Sequence, residues 1–304
     1  MYPQFMRCAG AACVAAMAAL SLAACGSDDK SSSNGAPAPP ATPATVPTEG
    51  PASVPKPVKK KGTIKIAADA TYAPNEFIGP DGKTVIGMDA DLAKALGAAL
   101  DLKVKVVNAS FDAIIPGLAA GKYDLGMSSF TDTKEREQTV NFVTYFSAGT
   151  SFFVNATKGP AIKALADLCG HKVSVEKGTT QAADANAQDK RCRAAGKPAV
   201  KVLIFPDQNG ANLALSSGRA DVGMADSPVA AFQVKQSGGI FKLGPTSYGT
   251  APYGIAVPKT SGLADPVLAA LRALMANGQY QAILDKWGVG SGAITNPQVN
   301  GAVN

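Results

Sequence analysis

A ten-residue pattern occurs twice in this chain and limits what it can fold into more than any other feature. Leu118-Ala-Ala-Gly121-Lys-Tyr-Asp124-Leu-Gly-Met127 returns as Leu215-Ser-Ser-Gly218-Arg-Ala-Asp221-Val-Gly-Met224. Each copy reads as the end of a helix, a glycine turn, an acidic strand start and a Gly-Met finish, so one supersecondary unit is used twice. In open α/β sheets ligands sit beyond the carboxyl ends of the strands. The residues after each copy are therefore the ones to inspect: Ser128-Ser129 after the first, Ala225-Asp226-Ser227 after the second.

Beyond Ser129 the chain continues Phe130-Thr131-Asp132-Thr133-Lys134-Glu135-Arg136. Asp132 or Thr133 fits the N-cap of a helix whose first turn holds Arg136. Hydroxyls, free backbone amides and a guanidinium then converge on one point, the chemistry that captures a carboxylate. The second copy offers Asp226, suited to a cation. A ligand carrying both charges close together, an α-amino acid, fits that pair. A purely structural duplication of two surface units fits the same repetition.

The chain opens with a basic start, Met1 to Arg7, an apolar run from Cys8 to Leu20, and Leu22-Ala23-Ala24-Cys25. That pattern predicts a secretory signal over residues 1–24, and its closing tetrapeptide resembles the lipobox of bacterial lipoproteins, implying cleavage before Cys25 and lipidation of its sulfur. The apolar run is shorter than the roughly 20 residues of a membrane span, which sets aside a retained helix. Residues 25–61 show no hydrophobic period and a Pro/Ala/Ser-rich composition, the reading of an extended tether.

The formal charge of +6 falls to +3 once residues 1–61, with six basic and three acidic side chains, are set aside. That excess, with no groove-reading motif or aromatic platform, does not point to nucleic acid. The remainder is long enough for one large or two small domains. Strand patterns at Thr63–Ala67, Leu102–Val106, His171–Val175 and Val200–Phe205 alternate with helical ones at Leu92–Leu100, Phe111–Ala120 and Ala182–Ala195. That alternation predicts an α/β fold with parallel pairing. Thr144 to Val154 and Pro252 to Val257 read as further strands, Asp265–Ala276 and Tyr280–Trp287 as closing helices, and 291–304 as a disordered tail.

Cys8 and Cys13 leave with the signal, and Cys25 takes lipid, so Cys169 and Cys192 remain as an even pair. In an oxidising compartment a disulfide between them is the natural expectation. A metal or nucleophilic site at Cys169 and His171 would need further ligands or a paired base, and His171 is the single histidine. No metal and no cofactor is expected.

Several fragments in order resemble the bacterial extracellular solute-binding proteins that serve polar amino-acid ABC importers. They are Asp69-x-x-Tyr72-x-Pro74, Gly87-Met-Asp89-Ala-Asp91-Leu, Phe111-Asp-x-Ile-Ile-Pro116, Ser128 to Arg136, Glu176-Lys-Gly-Thr179-Thr180, Ala225-Asp226-Ser-Pro228, Pro252 to Val257 and Gly278-x-Tyr280. The resemblance implies an α/β, two-lobed periplasmic-binding-protein type II (Venus flytrap) fold with two crossing hinge strands. Residues 62–148 plus 250–290 would form one lobe and 149–249 the other. It implies Arg136 as α-carboxylate clamp, helped by Ser129, Thr131 and Thr180 within the motifs that also carry Ser128 and Thr179. Asp226 becomes the α-ammonium acceptor, Asp69 the contact for the ligand side chain, and Tyr72 and Phe111 the aromatics around its stem.

Asp69, Glu76 and Glu176 could surround a cationic side chain, favouring arginine, lysine or ornithine, although loop carboxylates are commonly solvated. Asp69 alone would also suit glutamine. The implied partners are a free amino acid, the permease of an ABC importer and the membrane that holds the lipid, with the protein a monomer on the extracytoplasmic face. The implied role is binding, not catalysis. Two other roles stay open: a cyclohexadienyl-dehydratase-like enzyme using Glu76 or Glu176 as general acid, and a tethered amino-acid sensor.

Overall fold

The computed structural model describes residues 53–303. The predicted signal peptide, the lipidation site Cys25 and the tether as far as residue 52 lie outside the described residues. Among the described residues no helix is long and apolar enough to cross a membrane.

The first half of the chain runs α1 (Lys56–Lys61), β1 (Thr63–Ala68), β2 (Thr71–Tyr72), β3 (Glu76–Ile78), β4 (Val85–Ile86), α2 (Met88–Ala99), β5 (Lys103–Asn108), α3 (Phe111–Ala119), β6 (Leu125–Gly126), α4 (Lys134–Glu137) and β7 (Val140–Asn155). The second half runs β8 (Lys172–Glu176), α5 (Thr180–Ala194), β9 (Lys201–Phe205), α6 (Gln208–Ser216), β10 (Val222–Asp226), α7 (Ser227–Gln236), β11 (Phe241–Pro258), α8 (Ala264–Ala276) and α9 (Gln279–Trp287).

Eight strands form one sheet in the order β5-β1-β6-β11-β7-β10-β8-β9. Read from its two ends, that order is the same motif twice. β1 sits between β5 and β6, and β8 between β9 and β10, with parallel pairing in each trio. β7 and β11 run antiparallel between the two trios, from Val140 opposite Pro258 to Asn155 opposite Phe241. Their register slips at Leu243/Ser247, Tyr248/Ala251 and Tyr253/Gly254, so the ribbon joining the lobes is interrupted by bulges where a hinge needs freedom.

The repeated sequence unit has a visible purpose. Gly121 and Gly218 take φ of 68° and 73° to end α3 and α6, a left-handed turn that favours glycine. The acidic residue then ties the last strand of each trio to the first. The backbone N–H of Lys65 donates to Asp124 Oδ2 at 2.7 Å, and that of Lys172 to Asp221 Oδ2 at 2.8 Å. This correspondence makes Asp69 and Glu176 counterparts, each four residues past the lysine, and Ser129 and Asp226 counterparts, each five past the aspartate.

Each lobe has its own apolar interior. Ile64, Ile66, Leu92, Leu96, Leu271 and Leu284 lie in one core between the sheet and α2, α8 and α9. Val173, Val175, Val222 and Met224 lie in another under α5. Cys169 and Cys192 are bonded to each other, with Cα atoms 5.7 Å apart, pinning α5 to the segment before β8.

Two stretches depart from expectation. Residues 53–61 do not continue an extended tether: Lys56–Lys61 form a short helix, Val54 and Val58 pack on the first core, and Lys61 pairs with Asp124 at 2.7 Å. The stretch 291–304, expected to be disordered, is ordered through the described residues. Gln298 exchanges hydrogen bonds with Thr144, its N–H donating to Oγ1 and its carbonyl accepting from the Thr144 N–H, both at 2.9 Å. The Asn300 N–H donates to the Phe142 carbonyl at 2.8 Å, and the Gly301 N–H to Asp132 Oδ2 at 2.7 Å. Backbone hydrogen bonding of this kind needs no hydrophobic period, so the sequence carries no mark of it.

Removing residues 296–304 should cost on the order of 3 kcal/mol, since each hydrogen bond of this kind contributes about 0.5–1.5 kcal/mol net. Urea denaturation of the full and shortened chains measures the difference, and coincident midpoints would contradict the bracing role of the tail.

Candidate functional site

Arg136 sits on the short helix α4, whose N-cap Thr133 accepts the Arg136 N–H on Oγ1 at 3.2 Å. The guanidinium lies over the rings of Phe111 and Phe130, 5.2 and 5.5 Å from their centroids. Nη1 donates to the Thr131 carbonyl at 2.8 Å and Nη2 to the Gly178 carbonyl of the other lobe at 3.0 Å. Burial pulls its pKa below the ordinary arginine value, with the Asp226 charge the principal opposing influence. The arginine stays charged, since that ordinary value is so high.

Asp226 ends β10 at the start of α7. Tyr253 Oη donates to Oδ2 at 2.7 Å, and Gln181 Nε2 to Oδ1 at 2.7 Å. Burial raises its pKa to about 6, against the lowering pull of Tyr253, Gln181 and Arg136. Arg136 and Asp226 line one narrow cavity. From the first lobe Tyr72, Phe111, Ser129 and Thr131 line it as well, and from the second Thr179, Thr180, Gln181, Gln208 and Ala225.

The two lobes touch around this cavity. Besides the Arg136 bond to Gly178, Lys177 Nζ meets Asp112 at 2.7 Å, and the Gln208 N–H donates to Thr71 Oγ1 at 3.2 Å. The structure is a closed one. A groove beside the Cys169–Cys192 disulfide, with Lys163, Arg191 and Lys197 on its walls, is roomier but brings no buried charges together. Among the described residues no three His, Cys, Asp or Glu are grouped to hold a metal ion.

A pair of carboxyls stands behind the aromatics. Asp69 ends its run past β1 with 3 % exposure. Its Oδ1 accepts from the Thr71 hydroxyl at 2.7 Å and its Oδ2 from the Phe111 N–H at 2.9 Å. Burial raises its pKa, and those two donors hold it back. Glu176, its counterpart at the end of β8, is 1 % exposed. Both of its oxygens are buried without a hydrogen-bond partner, as is the Tyr72 hydroxyl. Burial, then the nearby Asp69 charge, raises Glu176 to about 9.

Two expected ligand contacts stand elsewhere. Ser128 is fully buried and accepts the Asp69 N–H on Oγ at 2.8 Å, so it orients Asp69 instead of lining the cavity. Glu76 is sealed beneath Ser129, away from any position around a ligand side chain. The Ser129 hydroxyl donates to Glu76 Oε2 at 3.1 Å and its N–H to Asp89 Oδ2 at 3.0 Å. Asn75 Nδ2 donates to Ser129 Oγ at 2.9 Å, and Tyr145 Oη donates to Asp89 at 2.7 Å. Burial and the Asp89 charge hold Glu76 well above the usual carboxylate range. Together these groups fix Ser129 at φ 49°, a left-handed conformation that a serine adopts only when its surroundings impose it.

Sequence reading missed Gln181, Gln208 and Tyr253. A signal for Gln208 was present: in the alignment of the two copies it falls opposite Phe111, and both open the helix that leads into the repeated unit.

Residues 64–290 match the profile of the bacterial extracellular solute-binding proteins, family 3. The chain belongs to this family. It is 32% identical over 250 residues to an arginine-binding protein of Corynebacterium glutamicum, covering 82% of each chain. It is 33% identical over 233 residues to ABC transporter arginine-binding protein 1 of Escherichia coli, covering 74% of this chain and 90% of that one. Among solved structures it is similar to an ancestral arginine-binding protein bound to arginine, at 38% identity and a TM-score of 0.68, over 74% of this chain and 98% of that chain. The two-lobed type II fold of this family is the fold described above.

Glu176 generates a stability prediction of unusual sign. Its pKa in the closed form lies near 9 and its unfolded value near the ordinary 4.5, so across that window the closed chain holds a proton that the unfolded chain lacks. Stability from this group is therefore lost as pH rises through the window. Glu176→Gln should raise the melting temperature of the ligand-free protein, by about 2–4 °C per kcal/mol recovered, with a margin that widens toward alkaline pH. Melting curves at several pH values read it out, and a margin that narrows as pH rises would refute the assignment.

Proposed function

We propose that this protein captures a basic L-amino acid, arginine foremost, between its two lobes and presents it to an ABC importer. The observation that carries the reading is a pair of opposite charges lining one cavity, with two buried carboxyls behind its aromatic wall. Arg136 and Asp226 supply opposite charges for the α-carboxylate and α-ammonium, and Asp69 and Glu176 place two carboxyls beside the aromatics that would flank the side chain. Buried carboxyls without cation or donor are costly unless a ligand compensates them, and a guanidinium carries five donors in a planar fork. Lysine and ornithine share the charge, while glutamine offers donors without it. The arginine-binding names of the relatives support the same choice.

In this reading Ser129, Thr131, Thr179 and Thr180 add donors to the carboxylate, Gln181 and Tyr253 hold Asp226 for the ammonium, and Tyr72 and Phe111 pack on the aliphatic stem. Because the ligand touches both lobes only when they meet, its binding energy favours the closed form, and the closed form is what a permease would engage. Cys25 would carry the lipid that keeps the protein on the extracytoplasmic face of the membrane, working as a monomer. The relatives are binding proteins, and the site is read as a binding site and not a catalytic one. Glu76, one of the two alternative general acids of a dehydratase reading, is sealed beneath Ser129.

Arg136→Ala should keep the fold and lose about 2–5 kcal/mol of arginine affinity, the usual loss when a buried charge is stripped of its partner. Titration calorimetry measures this. In a thermal-shift screen of all amino acids, arginine, lysine and ornithine should raise the melting temperature most, since a ligand at a hundred times its Kd adds about 2.7 kcal/mol. Near-parental affinity in the variant, or a largest shift from an acidic amino acid, would refute the proposal.

A further inference from the structure

Asp69 and Glu176 hold corresponding places in the two halves, yet their carboxyls are treated differently. Asp69 receives the Thr71 hydroxyl and the Phe111 N–H, donors that suit an anion. Glu176 accepts no hydrogen bond of good geometry, the otherwise unpartnered Tyr72 hydroxyl being the one donor near enough to lower its pKa, and both of its oxygens are shielded from solvent. Its ionisable neighbours are Asp69 and Tyr72 from the first lobe and Asp207 from the turn between β9 and α6, and none of them is a cation. Lys177, next in the chain, is turned away to Asp112. Arg136 is held at the carbonyls of Thr131 and Gly178, and Asp226 at Tyr253 and Gln181. Two facing buried carboxyls with donors for only one of them leave room for one negative charge.

We infer that Glu176 carries a proton in the closed pocket unless the cationic end of a ligand side chain settles beside it, so that the complex with a basic amino acid holds one proton fewer than the complex with a neutral one. The inference rests on the basic-ligand reading above. The O–H bond of the Glu176 carboxyl breaks with both electrons left on oxygen, and the proton passes to bulk water. The arriving cation replaces the positive charge that leaves. In the closed pocket, with no cation beside it, the pKa of about 9 keeps the proton in place at neutral pH. With a neutral side chain the carboxyl stays protonated and can donate its O–H to an amide or ureido oxygen.

The pocket would then weigh two ligand classes by pH. Each pH unit below the pKa that Glu176 has in the closed pocket without a cation disfavours the cationic ligand by a factor of about ten relative to the neutral one. Asp226, which titrates at about 6, faces the ammonium common to both classes, so its contribution cancels in the ratio.

The test is titration calorimetry of the full-length protein with arginine and with citrulline, its uncharged analogue of near-equal shape, in two buffers of different ionisation enthalpy. At about pH 7.5 arginine should release close to one proton more than citrulline, and between about pH 6 and 8 the arginine-to-citrulline affinity ratio should climb about tenfold per unit. Glu176→Gln should bind arginine more weakly than the parent, and in it the excess proton and the slope of the ratio should disappear. Arginine that binds the parent without an excess proton would overturn the inference and leave the ligand reading standing, and the parental measurement decides this even if the variant does not fold. A variant that releases as much proton as the parent would overturn it equally. Absence of any arginine binding would overturn the ligand reading and this inference together.

Discussion

The guanidinium of Arg136 and the carboxylate of Asp226 line one closed cavity without being used up on each other. Arg136 is held by two carbonyls, one from each lobe, and Asp226 by a tyrosine hydroxyl and a glutamine amide. Each charge is oriented by neutral dipoles, so neither must break an ion pair before it meets a ligand. A direct bridge between them would have lowered the desolvation cost of both and left nothing for a zwitterion to complete. The aromatic floor under Arg136, the tyrosine behind Asp226 and the fixed conformation of Ser129 all serve this separation.

The duplication explains how one cavity comes to hold such different groups. Two equal trios of strands face each other across the β7–β11 ribbon, and each points the carboxyl ends of its strands at the cleft. Positions that correspond in the two halves thus meet in space: Ser129 with Asp226, Asp69 with Glu176. The framework is conserved between halves by the turn glycine and by the aspartate that ties strand to strand, while the residues just beyond are free to differ. Sequence symmetry here supports geometry, and chemical asymmetry at its ends supplies selectivity.

The same logic sets how far the sequence could be read. The α/β class followed from alternating periods, and Arg136 and Asp226 followed from their places after the repeated unit. Gln181 and Gln208 are not legible, because an uncharged polar residue in the first turn of a helix has no pattern of its own. Glu76 was misplaced for a different reason. A loop carboxylate has two fates, facing a ligand or sharing a buried network, and only the packing of Asn75, Asp89 and Tyr145 around it decides between them. The ordered tail and the helix at Lys56–Lys61 were unreadable because main-chain bonds and a few valines hold them, with no periodic apolar face to announce either.

The tail has one more effect. Its Gly301 N–H grips Asp132 and its Ala302 N–H grips Glu137, the residues on either side of the segment that presents Arg136. The last residues of the chain therefore act as a splint on the anion clamp. Much of the conformational freedom that the clamp would otherwise surrender on meeting a carboxylate is removed when the chain folds, so a recognition element on a four-residue helix can behave like one set in a rigid scaffold.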